Sequence, residues 1–436
     1  MILDHTASRP TDREQAESAH DLSRRSFLQA GAAAGGGLLL SLSLPLPNRD
    51  AEGAAADGFT PNAFIRIGSD GQVVLTMPYV EMGQGTYTSI PMLIAEELEV
   101  DLKQVQVEHA PPNEKLYGNP LLGGIQVTGN SNAVRAAWQP LRQAGATART
   151  MLVSAAAKRW KVDAASCRAE QGQVIHVASG RRLKYGALVA DAAKLQLPAP
   201  ESVTLKRVGD FKLIGTPAKR LDTAAKVNGT AVYGIDVRPP GVKIATLAQS
   251  PVFGGRVKSV DDAAAKAVKG VRQIIRLDDA VAVVADHMGA AKKGLAALTI
   301  EWDDGPHAKV STRDIVGELE KATLNSGAVA QNIGDVDKAM AGAVTKVEAT
   351  YQVPFLAHAA LEPMNCTVHV RKDGCEIWVG NQAIARCQAA AAKITGLPLE
   401  KVVLHNHLIG GGFGRRLESD GVARAVQIAQ LHPADP

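Results

Sequence analysis

Cysteine is scarce in this chain of 436 residues: only Cys167, Cys366, Cys375 and Cys387, with no C-x-x-C pair and no histidine at zinc-finger spacing. A disulfide scaffold and a zinc module are therefore excluded. A dominant charge is missing as well. Lys and Arg number 48 against 44 Asp and Glu, a net charge of +4. No basic stripe interleaves with aromatics, so nucleic acid is not expected as a partner. Gly (41) and Pro (22) fall short of a collagen-like or low-complexity composition. No internal repeat is visible. Neither G-x-G-x-x-G nor G-x-x-x-x-G-K-[ST] occurs, which removes the main support for a nicotinamide dehydrogenase or a P-loop enzyme. The apolar run at 30–46 is interrupted by Gly35-Gly36-Gly37 and is too weak for a stable membrane span. What remains, 46% hydrophobic and 21% charged, is a folded, soluble, multi-domain composition.

The apolar run follows Ser23-Arg24-Arg25-Ser26-Phe27-Leu28 and precedes Ala54-Ala55-Ala56. Twin arginines, a mild apolar stretch and a small-residue cleavage site, in that order, read as a twin-arginine signal over 1–57. Such a signal implies export in folded form to the periplasm. The alternative is an amphipathic helix with two chance arginines.

Alternating runs at 64–67 and 73–76 around Ser69-Asp70-Gly71 predict a hairpin. Apolar spacing predicts a helix over 88–98, and a strand is expected at 105–109. The Ala-rich stretch 132–160 reads as a helix broken or started at Pro140. A short hairpin at 174–177 and 183–185 is followed by a helix through Leu195. Three prolines and little periodicity at 197–220 predict a domain boundary. Strands at 231–236, 244–247, 271–277, 281–285 and 298–302, with a helix over 288–298, predict a compact α+β domain. The last segment carries expected strands at 349–353, 367–370, 376–379 and 402–404. Its expected helices are 384–395, stopped by Gly396, and one starting near Ser419.

Three polar, glycine-rich places interrupt these elements. Tyr79-Val80-Glu81-Met82-Gly83-Gln84-Gly85-Thr86 lies between a strand and a helix. Its glycines admit a flat ligand, the Gln84 amide both donates and accepts, and the helix start offers N–H groups to an anion. A tight turn is the plainer reading. Thr128-Gly129-Asn130-Ser131 precedes the Ala-rich helix and either caps it or holds phosphate. Gly410-Gly411-Gly412-Phe413-Gly414-Arg415-Arg416 suits a backbone packed against a bulky cofactor. Arg415 and Arg416 would add donors for phosphate or carboxylate, unless the loop is purely structural. His358 and Glu362 are four apart, either an acid/base pair or a buried support, and Pro363 argues against a regular helix there. Gln382 sits at a strand end, placed to meet a ligand or to cap a turn.

In this order, Glu81-Met82-Gly83-Gln84-Gly85, Lys219-Arg220-Leu221-Asp222, Lys226-Val227-Asn228-Gly229-Thr230-Ala231-Val232-Tyr233-Gly234, Glu362-Pro363-Met364-Asn365-Cys366, Gly380-Asn381-Gln382 and 410–416 are similar to one family. Together they resemble the large, molybdenum-binding subunit of the xanthine dehydrogenase (molybdenum hydroxylase) superfamily, in its isoquinoline 1-oxidoreductase beta-subunit branch. The resemblance implies an α/β hammerhead domain at 220–305, flanked by molybdopterin-binding segments at 58–205 and 306–436. It implies pterin or metal-centre contacts from Gly83, Gln84, Gly85, Gln382, Gly411, Gly412, Phe413 and Gly414, and phosphate contacts from Thr128, Gly129 and Ser131. No side chain is implied as a metal ligand.

The implied cofactor is a molybdenum cofactor in its molybdopterin cytosine dinucleotide form. The implied chemistry hydroxylates a carbon next to a ring nitrogen, or an aldehyde carbon, with oxygen from water. Electrons leave through [2Fe–2S] clusters, which need cysteine sets that Cys366, Cys375 and Cys387 do not provide, so the clusters belong to a small partner subunit. A cytochrome c is the expected acceptor beyond it. The family's general-base glutamate sits in a Gly-x-Gly-Glu motif that these 436 residues lack, and 431–436 reads as a foreign ending. The catalytic residue is thus unknown, and this chain alone is expected to be inactive, with Glu362 the first substitute base to test. The alternatives are a truncated, inactive relic that at most binds its partner subunit, and an exported ligand-binding protein on the same fold.

Overall fold

The computed structural model describes residues 63–432 and the backbone of Leu38–Ser41. The twin-arginine pair and the cleavage site lie outside the described residues. The chain divides into two units, 1–231 with 381–385, and 232–380 with 386–436. No helix among the described residues is long and apolar enough to cross a membrane.

In the first unit β1 (Leu38–Ser41), β2 (Ala63–Ile67), β3 (Val73–Met77) and β4 (Val105–His109) form one sheet in that order. The β2–β3 hairpin pairs Ile65 with Leu75 and Ile67 with Val73, as the alternation predicts. β3 and β4 run parallel, which demands a crossover. α1 (Thr86–Leu98) supplies it and buries Ile90, Leu93, Ile94 and Leu98 in the core. α2 (Ala133–Trp160) is continuous, so the expected break at Pro140 does not occur. An interior proline costs about 3 kcal/mol through a lost hydrogen bond and a carbonyl clash. Packing offsets it here: Ala136, Ala137, Ala144, Ala148 and Ala155 are all buried in the core beside α1. The helices approach so closely that a Cβ on Gly145 would meet the Ile94 carbonyl oxygen at 2.9 Å. A second sheet, β5 (Cys167–Glu170), β6 (Gln173–His176) and β7 (Arg182–Lys184), adds one strand to the expected hairpin. The helix expected to reach Leu195 shrinks to short turns at Tyr185–Leu188 and Val189–Ala192.

The proline-bearing segment after it lies strapped to the same unit. Glu96 of α1 accepts from the N–H groups of Lys212, Leu213 and Ile214 and from Lys206 Nζ. Glu97 accepts from Arg142, Arg149 and the Lys206 N–H. Phe211 meets Trp138 edge-on at 6.2 Å. The short helix α3 (Thr223–Asn228) ends this unit's main stretch.

In the second unit β11 (Ala280–Ala285), wholly buried, is flanked by antiparallel β10 (Val271–Arg276) and β8 (Ile244–Gln249). β9 (Arg256–Asp261) pairs with β12 (Thr299–Asp303), and α4 (Met288–Ala296) lies between β11 and β12 in sequence. Ile275, Ala282 and Val284 share a core with Ile428 of α7 (Asp420–Leu431). A further sheet pairs β13 (Thr367–Val370) antiparallel and β15 (Val402–Asn406) parallel to β14 (Cys375–Val379). After β14 the chain passes through 381–385, which belong to the first unit, into α6 (Ile384–Thr395).

Two expected strands fail. At 231–236 only Tyr233 bridges Leu408, and Gly234–Asp236 is a 3₁₀ turn. The alternating segment at 349–353 is irregular and exposed; period-two apolarity makes a strand only when another strand edge accepts its hydrogen bonds. The helix α5 (Thr312–Thr323), opened by a Ser311–Asp314 capping box, was not foreseen. The architecture is a mixture of helices and sheets, in keeping with the α+β expectation.

Candidate functional site

The loop from β3 to α1 is built around one carboxylate. Glu81 is 0% exposed. Its Oε1 accepts from the N–H groups of Gly83 (2.9 Å) and Gly85 (3.1 Å), and Oε2 from the Thr86 hydroxyl (3.1 Å) and the Tyr87 N–H (3.0 Å). Arg220 Nη2 donates to Oε1 at 2.7 Å, and Lys226 Nζ stands 3.6 Å away. Burial pushes this carboxyl up, but the N–H groups of Tyr87, Gly85 and Gly83 together with Lys226 hold it below the usual carboxylate range. The helix start is therefore already filled by the chain's own anion. That corrects the expectation that its N–H groups stay free for a ligand anion. Gln84 is exposed and closes the loop on itself, donating to the Val80 carbonyl (2.9 Å) and accepting from the Met82 N–H (2.7 Å). One amide proton and one lone pair remain for a ligand.

Two other sequence-derived places join this loop in the first unit. The Thr128 hydroxyl accepts from the Val80 N–H at 3.0 Å. The Thr128 N–H donates to the Gln382 carbonyl at 2.9 Å, and Gln382 Nε2 returns a bond to the Thr128 carbonyl at 2.8 Å. Gln382 is 4% exposed, and its Oε1 is buried without a hydrogen-bond partner. Buried acceptors are rarely left so, because an unmet one costs about 1–3 kcal/mol. Beyond Thr128 and Gly129, Asn130 (φ 55°) and Ser131 (φ 52°) adopt the left-handed conformation and are exposed. The helix-capping reading of this turn is not realised at the N-cap itself. Asn132 makes no side-chain bond to α2, because its Oδ1 accepts from Asn119 Nδ2 at 2.9 Å. The start of α2 therefore carries no side-chain cap from Asn132.

In the second unit the 410–416 loop is clamped from within. Arg416 is 0% exposed and donates to the carbonyls of Gly411 (3.0 Å), Gly380 (3.3 Å) and Glu362 (2.7 Å); its Nη2 also lies 3.1 Å from Glu362 Oε2. Glu362 accepts from the N–H groups of Gly410 (2.8 Å) and Ile235 (3.2 Å) and from Asn365 Nδ2 (2.8 Å). A Cβ on Gly410 would come within 2.3 Å of Glu362 Cβ, so only glycine fits there. Arg415 forks onto Asp420 at 2.8 and 2.7 Å. Both arginines are therefore occupied: of the expected phosphate or carboxylate, each meets a carboxylate of the chain itself. Glu362 is a support and not a free base, and His358 lies exposed in a non-helical stretch. Phe413 holds φ 53° and is 70% exposed, between Gly411 (φ 100°) with Gly412 and Gly414 (φ 91°). The loop thus presents an aromatic ring and open backbone outward.

Cys375 and Cys387 are buried, and burial pushes their thiols up to about 11 and about 12. The site residues that the sequence did not reveal as such are Glu81, Arg220, Asp222 and Lys226. Arg220 stands 137 positions from Gly83, and no periodic pattern links them.

Sequence models of two molybdopterin cofactor-binding domains match residues 46–245 and 319–432. The chain is 33% identical to isoquinoline 1-oxidoreductase subunit beta of Brevundimonas diminuta, over 94% of this chain and 58% of that one. It is 32% identical to a membrane-bound aldehyde dehydrogenase (pyrroloquinoline-quinone) of Gluconacetobacter polyoxogenes, over 97% and 55% respectively. The chain thus spans little more than half the length of these curated relatives. A solved aldehyde oxidoreductase from Desulfovibrio gigas superposes with a TM-score of 0.40 at 17% identity, over 78% of this chain and 39% of that one.

Proposed function

The chain belongs to the molybdenum hydroxylase family, and from that premise we propose that it is the molybdopterin-binding part of an oxidoreductase acting on N-heterocycles or aldehydes. Oxygen would come from water, and electrons would pass to a separate [2Fe–2S] subunit and on to a cytochrome c. The observation that carries this reading is Gln382: a buried amide whose nitrogen is fixed by Thr128 and whose oxygen has no partner. An orphaned acceptor of this kind fits a polar ring that brings its own N–H donors, as a pterin does. When bound, the molybdenum cofactor supplies the two-electron oxidation and the oxygen transfer.

The chain's own residues supply the cradle. Gln382 Oε1 would accept from the cofactor, and Gln84 would add its spare amide proton and lone pair. Gly83 and Gly85, both at positive φ, leave the loop without side chains that would hold a flat ligand off. In the second unit, taken by itself, Gly411, Gly412 and Gly414 likewise leave the backbone around Phe413 without side chains. Thr128, Gly129 and Ser131, at the open start of α2, suit the phosphates of a cytosine dinucleotide form. Residues 220–305 would be the hammerhead, between molybdopterin-binding segments at 58–205 and 306–436. The general base is not Glu362, whose oxygens are engaged by Gly410, Ile235, Asn365 and Arg416.

The relatives are named as oxidoreductases, which does not favour the inactive-relic alternative. Both domain models carry the molybdopterin description, which supports molybdenum over the quinone in one relative's name. Export by the twin-arginine route to the periplasm completes the proposal. The test is metal and pterin analysis of the purified holoenzyme beside a dye-linked assay on N-heterocycles and aldehydes. Molybdenum with turnover supports the reading; a metal-free protein with quinone-dependent turnover overturns it.

A further inference from the structure

We infer that Arg220 is a positioning residue: its guanidinium sets the shape of the 81–85 loop against which the cofactor would lie. The inference rests on the function proposed above, and deepens it. Nη1 donates to the Gly83 carbonyl at 2.9 Å and Nη2 to Glu81 Oε1 at 2.7 Å. Nε and Nη2 donate to the two oxygens of Asp222 at 2.9 and 2.8 Å. Lys226, one turn along α3, donates to Asp222 Oδ2 at 2.5 Å. The next residue is pinned too, since the Leu221 N–H donates to the Thr88 hydroxyl of α1 at 3.0 Å.

Two features make this a device for shape rather than charge. Glu81, Asp222, Arg220 and Lys226 form a closed, neutral set, so none is left over to attract a charged ligand. The bonds converge on Gly83 (φ 107°) and Gly85 (φ 88°), the residues with most conformational freedom to lose. Glu81 gathers the N–H groups of both glycines, and Arg220 holds Glu81 and the Gly83 carbonyl in one rigid fork. Ordering the loop before the cofactor arrives removes that entropy from the binding step. An ammonium carries the charge but lacks the planar fork that reaches acceptors on separate residues.

The experiment compares Arg220→Lys and Arg220→Met with wild type in the holoenzyme. It follows melting temperature, amide hydrogen exchange at 83–87, and molybdenum retained per chain after dialysis. Arg220→Met should lower the melting temperature and the molybdenum retained, and speed exchange at 83–87. Arg220→Lys should restore the melting temperature, because the charge is back. Exchange at 83–87 should nevertheless stay faster by about tenfold, the weight of roughly one hydrogen bond, and molybdenum should stay several-fold low. A purely structural role predicts that lysine rescues everything. Wild-type protection at 83–87 in Arg220→Lys overturns the inference, as does a loosened loop that keeps its molybdenum. If wild type itself holds no molybdenum, the functional reading fails instead, and unchanged exchange in both variants would still overturn the clamp.

Discussion

Two buried glutamates divide the chemistry at the scale of single residues. Glu81 collects the N–H groups at a helix start, and Glu362 pairs with the enclosed Arg416. Both were visible in the sequence as acids within motifs, but their partners lie far away along the chain, which no local pattern can show. Burial pushes Arg416 down from its ordinary value while Glu362 opposes that shift. Removing one partner of such a pair costs about 3–5 kcal/mol. Glu362→Gln should therefore melt the second unit earlier, with turnover lost in step with unfolding. A variant that stays folded while turnover alone collapses would restore Glu362 as a base. Asp222 gives a pH signature. Its hydrogen bonds from Arg220, and further from Lys226, outweigh burial and hold its carboxyl at about 2, against an ordinary 3.8. A depressed folded value contributes stability that is complete above the unfolded value and lost as pH falls through the folded one. The first unit should lose stability from about pH 4 down to about pH 2. Asp222→Asn should make acid unfolding shallower across that window, as followed by circular dichroism.

Elements were legible where local pattern and tertiary partner agree. The β2–β3 hairpin, β4, β13 and α6 fall on the positions read from alternation and helical period. Pro140 misled because the close alanine packing of α2 outweighs a local breaker. The segment at 349–353 misled in the opposite sense, since apolar alternation does not create a strand edge to pair with. The strap at 204–214 was readable as irregular, yet not as fixed. Burial pushes the Glu96 carboxyl up, while Lys206 and the N–H groups of Ile214, Leu213 and Lys212 hold it below the usual range. Glu96→Gln keeps the size but weakens every one of those bonds. Limited proteolysis should then cut within 204–214 first, with far-UV circular dichroism unchanged. Cutting elsewhere at wild-type rates would show that the strap is held by something other than Glu96.

For the whole molecule, composition excluded classes, and ordered motifs with a family resemblance supplied the family. The proposed cofactor places stand in the sequence as glycine-rich interruptions, because close approach demands small residues. What could not be read was which donors stay free: Gln382 keeps its oxygen, whereas Arg415, Arg416 and the N–H groups of Gly83 and Gly85 are spent inside the fold. The export proposal is tested by replacing Arg24 and Arg25 with Lys, which should leave the protein in the cytoplasm on fractionation.

The central claim is that the unpartnered Gln382 amide oxygen waits for a pterin. Gln382→Met keeps the volume and removes the acceptor; leaving the Thr128 carbonyl without Nε2 costs about 1–3 kcal/mol, offset by the orphaned oxygen that goes with the amide. The decisive measurement is molybdenum and pterin per chain in the wild-type and Gln382→Met holoenzymes, purified side by side. The account predicts matched, near-stoichiometric metal and pterin in wild type and a several-fold loss of both in a variant that still melts near the wild-type temperature. Full molybdenum and pterin in Gln382→Met would contradict it.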